Sequence, residues 1–124
     1  MIPKFRAWLK NDKEMIDVVQ IAFDTKWIRA FYKLNYRWFK FDDVLLMQST
    51  GLKDKNGQEI FEGDILGPKD GLLNGFVEYR EDLGMWTNSL ISYNNFERLC
   101  NVASSREIIG NVYQNNELLE ADND

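Results

Sequence analysis

The 124-residue chain contains no histidine, and that one absence removes much of the usual catalytic repertoire. Without imidazole there is no side chain that ordinarily titrates near neutrality, no histidine metal ligand and no base of the kind that activates a serine or cysteine. Hydrolytic chemistry would have to rest on carboxylates or on a hydroxyl paired with lysine. No convergent set of either is visible, so the sequence reads as non-enzymatic, with no catalytic residues to name. The single cysteine, Cys100, excludes an internal disulfide and any thiol-rich metal centre, which agrees with a reducing compartment. No segment approaches the ~20 apolar residues of a membrane span. Behind Lys4 and Arg6 there is no apolar stretch to form an export signal, so the expectation is a cytoplasmic protein without membrane contacts. Gly71 to Gly75 lacks the Gly-Lys-Ser/Thr ending of a phosphate loop. Internal repeats and low-complexity tracts are absent as well, and nothing calls for a cofactor.

What is present is an ordinary globular apolar share and a generous aromatic one, with eight Phe, five Tyr and four Trp. This length suits one domain, or two very small ones, and can bury a real interior. The net charge of -5 is unevenly placed. Residues 1–41 hold nine Lys/Arg against four Asp/Glu, a net of +5, and residues 42–124 hold six against sixteen, a net of -10. A basic, aromatic first third and an acidic remainder point to two faces or subdomains with different partners.

Hydrophobic patterning predicts short strands at about 4–9, 15–23, 27–33, 36–41 and 44–49. The run Val18 to Phe23 alternates only partly, as a strand buried on both faces would. Trp27 to Leu34 fits either a helix or a strand; its short length and the break at Asn35 favour strand. Asn56-Gly57, between Leu45-Leu46-Met47 and Ile60-Phe61, predicts a tight antiparallel reversal, and Gly63-Asp64 a second turn. Pro68, Gly71 and Gly75 mark a loop. Further strands are expected at Gly75–Tyr79, as a hairpin of Met85-Trp86 with Leu90–Tyr93, and at Glu107–Tyr113, with single helical turns after Asn95 and Asn116. The expected architecture is mainly β: a β-rich, basic and aromatic portion over residues 1–45, a small barrel over 46–119, and a frayed acidic tail at 120–124.

Gln48 to Ile65 has a distinctive wording, Gln-Ser-Thr-Gly-Leu-Lys-Asp-Lys-Asn-Gly-Gln-Glu-Ile-Phe-Glu-Gly-Asp-Ile. Together with Pro3–Trp8 before it and Ile109–Asn115 after it, it resembles the YopX family of small phage and prophage proteins. The likeness spans nearly the whole chain, weakly from Asn11 to Asp43 and strongly from Leu46 to Leu66 and from Ile108 to Leu119. It implies an N-terminal β-rich portion, a C-terminal SH3-like barrel and a phage or prophage product at work inside a bacterial host. It carries over no catalytic residues. Its motif positions Gly51, Asp54, Asn56, Gly57, Gly63, Asp64 and Gly110 are read as structural.

Three groups of side chains invite a functional reading. Asp54, Glu59, Glu62 and Asp64 would suit a hard cation. However, a calcium-loop template anchored on Gly57 places Leu52 and Gly63 where oxygen donors are required, so the expected role is turn-shaping and amide capping, with no metal. Lys26 to Phe41 interleaves five basic residues with seven aromatics and contains no acid. Trp27, Arg29, Phe31, Lys33, Arg37, Trp38 and Lys40 are the candidate binding residues. The bland alternative is that the rings are core and the cations a solvated face. Ser49-Thr50 near Lys53 and Lys55 has no recognised nucleophile spacing. The leading expectation is a protein-interaction or regulatory module that binds a host or phage protein or a second copy of itself. Single-stranded nucleic-acid binding through residues 26–41 is the alternative, and acidic imitation of DNA a lesser one.

Overall fold

A computed structural model describes residues 4–67 and 74–120. The loop expected around Pro68 and Gly71 falls largely outside the described residues, as do Pro3 and tail residues 121–124. The chain divides into two compact units, Met1–Ser49 and Thr50–Asp124. The described strands form two antiparallel sheets and no closed barrel.

In the first unit β1 (Phe5–Leu9), β2 (Glu14–Ala22), β3 (Trp27–Tyr32), β4 (Asn35–Lys40) and the first part of β5 (Val44–Lys53) lie in the order β4-β3-β2-β1-β5. The helix reading of 27–34 is excluded, because Trp27–Tyr32 pairs along its length with Asn35–Lys40. Asn35 is no break; it opens β4, and the turn is Lys33-Leu34. Both turn residues have positive φ, 53° and 69°, the type I′ conformation whose twist matches a two-residue hairpin.

The partial alternation of β2 has a different cause from the one expected. Val18 pairs with Ala30 but Gln20 pairs with Arg29, so Val19 is an extra residue in a bulge. The bulge resets the phase. Ile16, Val18 and Ile21 therefore all reach one core with Ala7, Leu9, Ile28, Ala30 and Val44, while Val19 is left exposed. Each fully buried side chain of Ile28's size contributes about 1.5–3 kcal/mol of transfer free energy, enough to hold this phase.

The second unit opens with the end of β5, which turns back onto β6 (Glu59–Phe61). The reversal falls at Asp54–Gly57, and of Asn56 and Gly57 only the glycine takes positive φ, 80°. The strands β7 (Asp64–Gly67), β8 (Gly75–Arg80), β9 (Met85–Leu90), β10 (Phe96–Arg98) and β11 (Glu107–Asn111) form a sheet in the order β10-β9-β8-β7-β11. Met85-Trp86 and Leu90–Tyr93 are not partners. Met85–Leu90 is one strand whose partners are β8 and β10.

The helical turn expected at Phe96 is displaced. Phe96–Arg98 is strand, and the turn α1 (Leu99–Val102) follows it, pinned by fully buried Leu99. Ile60, Leu66, Val77, Leu99 and Ala103 form this unit's core. The sheet does not close on itself, since β10 is three residues long and the chain leaves it for α1 rather than continuing toward β11. Within this unit Asn88, wholly buried, donates to Glu97 at 3.0 Å, and Arg106 pairs with the same carboxylate at 2.8 Å.

Candidate functional site

The register of the β3–β4 hairpin decides what the basic aromatic segment presents. Its pairs are Trp27 with Lys40, Arg29 with Trp38, and Phe31 with Tyr36, alternating with Ile28–Phe39, Ala30–Arg37 and Tyr32–Asn35. Directly opposed residues share a face. Ile28, Ala30, Tyr32 and Phe39 are core residues, so Trp27, Arg29, Phe31, Tyr36, Trp38 and Lys40 occupy the other face together.

This face is open to solvent. Phe31, Tyr36 and Trp38 are 53%, 57% and 47% exposed, and Trp27 and Arg29 are half-buried. The Arg29 guanidinium lies 4.6 Å from the Tyr36 ring centroid, the Lys40 ammonium lies 5.7 Å from that of Trp27, and Phe31 meets Tyr36 edge-on at 5.2 Å. Cation–π contacts of this kind hold the rings and charges together on the strand surface. A shallow, open, mostly apolar depression lies between Trp27, Trp38 and Thr25.

Two of the seven candidates do not join this face. Arg37 is on the core side of β4, and its guanidinium turns back to donate to the carbonyls of Tyr32, at 2.8 Å, and Lys33, at 3.4 Å. Lys33 sits in the turn, with its ammonium over the Tyr32 ring at 5.2 Å. The arrangement adds Tyr36, which composition alone did not single out. The signal for it is the two-residue turn. Once Lys33-Leu34 is the reversal, even positions of β4 must share a face with odd positions of β3.

Two of the four acidic residues, Asp54 and Asp64, accept hydrogen bonds from the backbone. Asp54, only 6% exposed, accepts from the backbone N–H groups of Asn56 and Gln58 through Oδ1, both at 2.9 Å, and of Ile108 through Oδ2, at 3.0 Å. Burial pushes its pKa up, but the N–H groups of Ile108, Gln58 and Asn56 and the charge of Lys55 outweigh it and hold the carboxyl below the usual carboxylate range. Asp64, buried, accepts from Phe61 N–H at 2.8 Å. Gly51 and Gly63 take φ of 79° and 89°. At Gly110 a methyl group would lie 2.5 Å from Asn115 Oδ1. Thr50 Oγ1 donates to the Ile60 carbonyl at 2.8 Å, a backbone role rather than a nucleophile's.

Among the described residues no group of three or more Asp, Glu or Cys is placed to hold a metal ion. No helix among them is long and apolar enough to cross a membrane. A polar depression of about 360 Å³ lies between Glu78, Ser89 and Tyr93. Its carboxylate accepts from Ser89, and the nearby Arg80 guanidinium is held by Asp82 at 2.7 and 3.0 Å.

The model of the YopX protein family matches residues 4–120. Protein EF1440 from Enterococcus faecalis, a crystal structure, is 31% identical, with 97% of this chain and 99% of that one covered and a TM-score of 0.62. The crystal structure of protein yopX from Bacillus subtilis is 20% identical over 96% and 97% of the two chains, with a TM-score of 0.61, and shares the fold. No curated protein matches the chain.

Proposed function

The chain belongs to the YopX protein family, and we propose that its role rests on the exposed face of β3–β4 and is that of a non-enzymatic protein-interaction module. The observation that carries this reading is the gathering of four aromatic rings and two cations on one face of a hairpin. Aromatic residues and arginine are the side chains that dominate interface energetics, because they desolvate large rigid areas at small entropic cost. The face is also partly pre-organised, since Phe31, Tyr36 and Arg29, and Trp27 and Lys40, are already in contact and lose little freedom on binding. Under this reading the partner is a host or phage protein met in the bacterial cytoplasm. The second unit serves as an SH3-like module with its sheet left open, in a product of phage or prophage origin. The matched structures both come from bacterial species, which supports the setting.

Single-stranded nucleic acid is the second reading, favoured by the exposed ring of Trp38 near Lys40. It is the weaker one. Residues 42–124 carry sixteen acids against six bases, which opposes a long phosphate backbone.

The test is capture from bacterial lysate with and without nuclease, comparing wild type with Trp38→Ala, Arg29→Ala and Lys33→Ala. A protein retained after nuclease, lost with Trp38→Ala and Arg29→Ala and kept with Lys33→Ala, is the expected result. Retention that depends on nucleic acid, or loss with Lys33→Ala alone, refutes it.

A further inference from the structure

The strand that carries half of this face is also the end of its sheet. Among the described residues β4 is the terminal strand of the six-stranded order, and its one partner strand is β3. The phase of its ladder follows from two observations. The hairpin closes with a two-residue turn at Tyr32–Asn35, and Phe41 N–H donates to the Lys26 carbonyl at 3.0 Å. In an antiparallel pair, hydrogen-bonded and non-hydrogen-bonded residues alternate, so Asn35, Arg37 and Phe39 point their backbone groups inward to β3. The N–H and C=O groups of Tyr36, Trp38 and Lys40 point outward from the sheet edge. These are the same residues whose side chains lie on the exposed aromatic face. Backbone valence and side-chain contact are therefore offered along one line, at every second residue.

We propose that an extended acidic peptide segment of a partner protein docks here as an added strand, antiparallel to β4; this rests on the protein-binding reading above. Strand addition takes its affinity from main-chain hydrogen bonds and its specificity from alternate side chains. The charge of the site selects the occupant. Residues 26–41 contain five cations and no acid, and β4 carries Lys40 on the aromatic face and Arg37, exposed, on the opposite one. A second copy of β4 would bring two more cations and no acid to the same edge, whereas an acidic strand would offset the charge already there. Residues opposite Lys40 and Arg37 would be Glu or Asp, and those opposite Trp38 and Tyr36 apolar. Exposed edge strands are usually blunted by charge or covered; this one keeps an aromatic residue at each of two outward positions.

The probe is the fluorescein-labelled peptide Thr-Glu-Val-Phe-Glu-Val-Thr, which sets Glu against Lys40, Phe against Trp38, Glu against Arg37 and Val against Tyr36. Binding to the intact chain is read by anisotropy, and amide exchange of Tyr36, Trp38 and Lys40 is followed by NMR. The expected result is binding at least about ten-fold tighter than that of a version with Lys for both Glu, a loss of similar size on N-methylation of the Phe and the second Val, and slowed exchange at the three amides. A lysine peptide that binds equally well, or N-methylation without effect, overturns strand addition. If Trp38→Ala still abolishes partner capture in that case, the face reading survives and the strand geometry alone has failed. Slowed exchange that rises with protein concentration in the absence of peptide would assign the edge to a second copy and overturn the proposal.

Discussion

Replacing Asp54 by alanine removes the acceptor of three backbone donors at once, and the size of the effect follows from where those donors lie. Asn56 and Gln58 are exposed, so water can take over their N–H groups, and each loss costs about 1 kcal/mol, below the ~1.5–3 kcal/mol of a bond to a charged group that water cannot replace. Ile108 N–H is half-buried on β11, bonded to Asp54 at 3.0 Å across 54 residues of sequence, and leaving it without an acceptor costs about 1–3 kcal/mol. The expected destabilisation of the second unit is about 3–5 kcal/mol, a large part of the total stability of a chain this size. Asp54→Asn keeps an oxygen for the turn but sets an amide N–H against Ile108 N–H, so it should fall between wild type and alanine. The pH dependence distinguishes this from simple loss of packing. Because the folded pKa lies below the unfolded value of about 3.9, the stabilisation is complete above that value and is lost as pH falls through the depressed folded pKa. The gap between wild type and Asp54→Asn should accordingly narrow below pH ~4. Urea unfolding at pH 7 and pH 3, with amide exchange at Ile108, is the assay. A loss under about 1 kcal/mol at pH 7, or a gap that does not change with pH, would refute the reasoning.

Trp38→Ala should weaken partner binding by about 2 kcal/mol, roughly thirty-fold, with Tm nearly unchanged, because the ring is exposed and carries no core contact; a large fall in Tm would make it a structural residue. Leu34→Gly should raise stability by about 0.5–1 kcal/mol, since Leu34 is 87% exposed and held at positive φ; a lower Tm in a thermal scan would contradict this. Gly110→Ala should cost about 1–3 kcal/mol by displacing Asn115, whose side chain accepts from Asn111 N–H at 3.2 Å; unchanged denaturant midpoints would show that the loop yields freely. Glu97→Ala should cost about 3 kcal/mol, because the mostly buried Arg106 guanidinium and the buried Asn88 amide lose their shared acceptor; an unaltered unfolding midpoint would remove that network from the account.

How far the sequence reaches can be seen element by element. The five strands of the first unit stand within a few residues of where apolar spacing places them, because short apolar runs bounded by polar breaks are a local signal. The turn at Asn56-Gly57 is legible because glycine names its conformation. The hairpin turns of the first unit are disguised. Lys13 and Lys26 take positive φ at the end of four-residue loops, where the corresponding loop in the second unit uses Gly84, and Lys33-Leu34 does the same within two residues. The bulge at Val19 is likewise invisible in the sequence, since it shows only once β3 is laid beside β2. The pairing of Met85–Leu90 was missed because its polar buried residues, Thr87, Asn88 and Ser89, look like a loop until their hydrogen bonds are seen.

The candidate face follows the same division. Sequence alone determined that residues 26–41 are rich in rings and cations, free of acid and of strand length, and that histidine-dependent chemistry is excluded. Tertiary structure decided the rest. Facing is a property of register, and register depends on which turn closes the hairpin and which neighbour it pairs with. Those choices sent Arg37 and Lys33 to the turn, drew Tyr36 into the face, and turned the backbone groups of Tyr36, Trp38 and Lys40 away from β3. Composition is local, whereas the sharing of a face by residues nine or thirteen positions apart is fixed only by cross-strand hydrogen bonds.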